Sequence, residues 1–160
     1  MLYTRFLLVM ILASLMGTNS CSQPNAGDAG SSVYVGSTPC DSLIRSTLQI
    51  PPGLTCDFIK WKVRLQKDSA TFQLAAQYGE SKPNTNGFFN DGHTILISGK
   101  YLVEHPTKPM ENKIYRLEGV LLQQPVLLVE MDENILHFAD VHNNLLIGNG
   151  GWGYILNKTQ

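Results

Sequence analysis

Ile59-Lys60-Trp61-Lys62-Val63-Arg64-Leu65-Gln66 alternates apolar and polar side chains at every step. A period of two puts Ile59, Trp61, Val63 and Leu65 on one face of an extended chain and Lys60, Lys62, Arg64 and Gln66 on the other. That pattern is the mark of a half-buried antiparallel strand. Lys67-Asp68-Ser69 supplies a turn, after which Phe72, Leu74, Ala76 and Tyr78 alternate with Thr71, Gln73 and Gln77. The two runs read as a β-hairpin.

Outward from the hairpin the same period recurs. Upstream, Ile44, Ser46, Leu48 and Ile50 alternate with Arg45, Thr47 and Gln49, which predicts a strand over 44–50 that Pro51-Pro52-Gly53 ends. Downstream, Gly79 to Gly92 is a polar loop, and strands are expected near 94–103, 113–118, 126–131, 135–139, 145–147 and 152–156. Asp132-Glu133-Asn134 and His142-Asn143-Asn144 are the turns between the later ones. No capped segment keeps a helical period beyond two turns. Residues 33–160 therefore read as one all-β domain, a small antiparallel meander of about eight strands. Closure into a barrel is favoured over a sandwich because it removes unpaired strand edges.

The composition agrees with one globular domain: 43% of residues are hydrophobic and 16% charged. Lys+Arg 12 against Asp+Glu 13 gives a net charge of -1, so no basic footprint for nucleic acid exists.

Residues 1–20 have the layout of an export signal. Arg5 precedes an apolar run from Phe6 to Met16, and Gly17-Thr18-Asn19-Ser20 leads into Cys21. The run is shorter than the roughly 18 residues of a spanning helix. Its position just before Cys21 resembles the lipobox of bacterial lipoproteins, whose cysteine becomes the acylated first residue. Thr18 and Asn19 depart from the usual lipobox residues, and Ser20 fits. Residues 21–32, the lipidated cysteine and Ser22-Gln23-Pro24-Asn25-Ala26-Gly27-Asp28-Ala29-Gly30-Ser31-Ser32, read as a flexible tether. Loss of Arg5 with the signal leaves a net charge of -2, so the membrane partner is reached through lipid at Cys21. A bacterial cell envelope location, in the outer membrane, is the expectation.

Cys40 and Cys56 then form an even pair in an exported chain, a disulfide candidate. Other chemistry is sparse. No hydrolase elbow, phosphate loop or zinc-binding helix motif is present. His137, Asp140 and His142 crowd one turn and offer imidazole and carboxylate ligands to Zn or Cu, although a solvated turn accounts for them equally well. Cys40 is a candidate soft-metal thiolate, and nothing near it in sequence activates it as a nucleophile. Trp152 and Tyr154, set among glycines, either line a barrel mouth and contact a ligand or partner, or fill the space the glycines leave. No cofactor is implied.

Val35-Gly36-Ser37-Thr38-Pro39-Cys40-Asp41, the 44–50 segment and the 59–78 hairpin ending in Tyr78-Gly79 are together similar to the N-terminal domain of NlpE-type envelope lipoproteins. The likeness covers about residues 33–118. It implies a small lipocalin-like barrel behind a lipidated cysteine, in a family associated with copper resistance, surface-adhesion sensing and envelope stress signalling. The family's CxxC is missing, since Cys40-Asp41-Ser42-Leu43 keeps only its first cysteine. The expected function is thus non-enzymatic binding or stress sensing, with an envelope protein as partner. The alternative is the handling of copper or another soft metal.

Overall fold

The computed structural model describes residues 30–105 and 112–159, so the signal, Cys21 and most of the tether lie outside the described residues. Among the described residues there are eight strands: β1 (Ser31–Pro39), β2 (Phe58–Gln66), β3 (Thr71–Gly79), β4 (His93–Glu104), β5 (Ile114–Gly119), β6 (Val126–Asp132), β7 (Ile135–Ala139) and β8 (Ile155–Lys158). Each pairs antiparallel with its neighbour in sequence, and β8 returns to β1, closing a barrel. The closing seam is short, with Tyr34, Val35 and Gly36 opposite Lys158, Asn157 and Leu156. By contrast β1 and β2 pair along their whole lengths, from Ser31–Gln66 to Pro39–Phe58.

The alternation read in the hairpin is the barrel's inside and outside. Ile59, Trp61, Val63 and Leu65 are buried, as are Phe72, Leu74, Ala76 and Tyr78. Large and small residues interleave in the lumen. Trp61 stands in register between Gly36 and Ala76, and Phe72 lies opposite Gly99. A Cβ at Gly36 would collide with the Ile155 carbonyl across the seam, and one at Gly99 with the Glu118 carbonyl and the Phe72 ring. These two glycines let backbone and aromatic rings approach where any side chain would hold them apart.

Three expectations are corrected. Residues expected as a strand over 44–50 instead form helix α1 (Ser42–Thr47), which plugs one end of the barrel. Asp41 caps it, accepting from the Ile44 amide at 2.9 Å. Gln49 then takes a positive φ of 54°, ending the helix and turning Ile50 back into the core. Ser31 and Ser32, read as tether, belong to β1, and Ser32 is buried. The last strand is not 152–156 but Ile155–Lys158, while 145–147 contributes one bridge, Leu145 to Ala139.

Candidate functional site

At the plugged end Cys40 and Cys56 are joined, with Cα atoms 5.8 Å apart. The bridge ties the end of β1 to the start of β2 and brackets α1. Arg45 of α1 reinforces the enclosed loop, donating through Nη2 to the carbonyls of Pro51 at 2.7 Å and Leu54 at 2.9 Å. Asp41 works twice: one carboxylate oxygen caps α1 and the other accepts from the Tyr154 hydroxyl. With its sulfur in the bridge, Cys40 presents no thiolate to a soft metal in this oxidised form.

Trp152 and Tyr154 separate into different roles. Tyr154 is buried, with its hydroxyl spent on Asp41. The half-buried Trp152 ring stacks on Phe58 at 4.8 Å on a near-parallel plane, and Phe88 covers Phe58 at 4.4 Å with its ring tilted by 27°. The β3–β4 and β7–β8 connections thereby clasp the start of β2. Lys60 Nζ lies 5.4 Å over the Phe88 ring.

His137, Asp140 and His142 do not converge. His137 Nδ1 is 2.8 Å from the Phe138 carbonyl oxygen. Asp140 accepts from the Asn144 side chain and amide and from the His142 amide. Those hydrogen bonds, Asn144's first, hold its carboxyl below the usual range. Asp140 is a turn cap, and no group of three potential metal ligands occurs among the described residues.

The opposite end, where β1 enters, holds a feature that alternation alone did not single out. Tyr34, Tyr101 and Tyr115 converge there, with the Tyr101 and Tyr115 rings 5.8 Å apart edge to face. The Tyr115 hydroxyl donates to Glu130 at 2.5 Å, and Lys113 Nζ lies 2.9 Å from the same carboxylate. Burial works against the Glu130 charge, yet the Tyr115 and Lys113 hydrogen bonds prevail and its pKa falls. Burial and then the Glu130 carboxylate push Tyr115 strongly upward, as burial and Asp41 do for Tyr154. Tyr34 and Tyr101 move the same way, burial being the largest cause in each.

A stability profile follows. Unfolded tyrosines lose protons near pH 10 while these four keep theirs, so the unfolded state binds fewer protons there. Their contribution is complete below about pH 10 and is lost as pH rises beyond it. The urea midpoint is expected to fall steeply above about pH 10, with Tyr115→Phe lowering the slope by up to about one proton. An unchanged midpoint between about pH 9 and pH 11.5 would contradict the buried phenol assignments.

The surface around α1 is apolar in an unusual way. Val120 (97% exposed) and Leu121 stand on the β5–β6 turn, and Val141, Leu145 and Ile147 (93% exposed) on the β7–β8 connection. Both connections touch the helix. Gln124 donates to the Thr47 hydroxyl at 2.8 Å, and Val141 shares with Leu43 and Thr47 the lining of a small crevice. Sequence reading passed over Val120, Leu121 and Val141, which stand on loop tips without periodicity, and took Leu145 and Ile147 for a strand. No protein-family model, curated protein or solved structure matches the chain. Its function is therefore argued from what its own surface presents.

Proposed function

We propose that the chain is a lipoprotein of the bacterial cell envelope, anchored through Cys21 in the outer membrane. Its barrel serves as a non-enzymatic module that binds an envelope protein, in the stress-sensing manner implied by its resemblance to NlpE-type lipoproteins. The observation that carries the binding reading is the apolar crown of Val120, Leu121, Val141, Leu145 and Ile147 around α1. Exposed aliphatics gathered on a small domain mark a contact surface, because leaving them in water has a cost that a partner removes. The crown lies at the end away from the start of β1, so an anchor at Cys21 leaves it open. The Cys40–Cys56 bridge fits a chain that folds in an oxidising compartment.

Photo-crosslinking in cells tests this. A photoreactive residue at position 147 is expected to trap a discrete envelope protein, whereas the same group at position 134, in the β6–β7 turn at the other end, traps none. Identical patterns from the two positions would remove the crown as the binding surface. The intact mass of the protein from native membranes is expected to start at Cys21 and carry acyl chains. A mass without them would overturn the anchor.

A further inference from the structure

One flank of the barrel separates the charges. Across β1, β2, β3 and β4, Val35, Lys62, Ala75 and Leu96 stand side by side on the outside, and three parallel rows flank them. Lys60, Arg64 and Lys100 belong to those rows, and the sixteen outward positions hold no Asp or Glu. A groove of about 510 Å³ runs here, floored by Ala75 and edged by Lys62, Gln73 and Ser98. Leu96 is 71% exposed beside it. Carboxylates stay at the margins: Asp68 in the β2–β3 turn, Asp91 before β4, Glu104 at the far end of β4 where Arg116 pairs with it, and Glu118 opposite Lys100 on β5. Arg64 is engaged with Ser31 Oγ at 3.1 Å, so Lys60 and Lys62 lead the face.

We infer that this β1–β4 flank docks on the anionic headgroups of the leaflet that bears the anchor. The inference rests on the lipoprotein reading. A net charge of -2 repels the domain from an anionic surface in most orientations, whereas the four rows of this flank carry Lys60, Lys62, Arg64 and Lys100 and no carboxylate. Basic side chains set around an exposed leucine and Val35 match the mixed polar and apolar character of an interface. Reach agrees as well. Ten residues connect Cys21 to Ser31, which opens β1 on this same flank. Their span of at most about 35 Å is close to the length of β2, about 30 Å, so headgroups lie within reach of every lysine on the flank. The acyl chains at Cys21 hold the chain at the bilayer, and the lysines orient the domain against it.

The full chain is reconstituted into phosphatidylcholine vesicles with or without about 30% phosphatidylglycerol, then labelled with a membrane-impermeant amine reagent and read by peptide mass. Labelling of Lys60 and Lys62 is expected to drop about fivefold on the anionic vesicles and to recover at about 0.5 M salt, while Lys82 is unaffected. Lys62→Glu is expected to return Lys60 to its zwitterionic labelling with an unchanged melting curve. If that variant misfolds, the wild-type comparison still decides. Equal labelling on both vesicles overturns the inference. So does protection by soluble heparin that exceeds protection by vesicles, which would assign the flank to a polyanionic partner. The intact mass of the same sample reports acylation separately. An acylated chain with unprotected lysines loses only the docking face, and an unacylated chain with protected lysines loses only the anchor.

Discussion

Trp61→Ala is expected to cost about 3–5 kcal/mol, the range for removing a buried indole without collapse of the space it filled. Trp61 is 2% exposed and lies 5.0 Å from the Phe138 ring. Its neighbours in register, Gly36 and Ala76, are small and have nothing with which to refill the lumen. The indole Nε1 also donates to the buried Thr38 hydroxyl at 2.9 Å, and that hydroxyl in turn donates to the Pro39 carbonyl at 3.1 Å. Trp61→Ala thus opens a cavity and removes one donor from a chain of buried polar groups. Trp61→Phe separates the two effects, retaining most of the volume and losing the donor, at about 1–2 kcal/mol. Urea denaturation of the oxidised protein measures both. A loss below about 1 kcal/mol for Trp61→Ala would mean that the indole does not fill the lumen.

The facing of Trp61 was legible because alternation over 59–66 has one solution once a single face is buried. The same rule failed at Ile44, Ser46, Leu48 and Ile50. Ile44 and Leu48 are four apart, so they share a helical face as readily as alternate positions share a strand face. The deciding local signal was Asp41-Ser42, a cap behind Pro39-Cys40. The exit at Gln49 uses a positive φ that glycine or asparagine usually signals, and it left no trace in the composition.

The candidate sites divide in the same way. Lys60, Lys62 and Arg64 were visible as the polar face of one strand. Only the register across β1, β3 and β4 reveals that no carboxylate stands in the rows they share. The crown around α1 depends on two connections far apart in sequence meeting at one helix. No pattern within either connection foretells it.

Removing the bridge with the Cys40→Ala/Cys56→Ala pair is expected to lower stability by about 2–4 kcal/mol, which for a domain of this size is roughly 10 °C in melting temperature. The sequence separation is 16, and a loop of that length gives about 3 kcal/mol in chain-entropy terms. Arg45 already pins the enclosed loop at Pro51 and Leu54, and Asp41 caps α1 inside it, so the barrel is expected to remain folded after the loss. Reductant on the wild-type protein should reproduce the shift and leave the variant unmoved. The copper alternative is decided in the same experiment. Oxidised protein holds Cys40 and Cys56 in the bridge and is expected to show no melting shift with Cu(I). Reduction frees two thiolates on Cα atoms 5.8 Å apart, a pair suited to a soft ion. If native protein instead arrives with both thiols free and gains several degrees from Cu(I), metal handling displaces partner binding as the leading function. An oxidising compartment then loses its structural support along with the bridge.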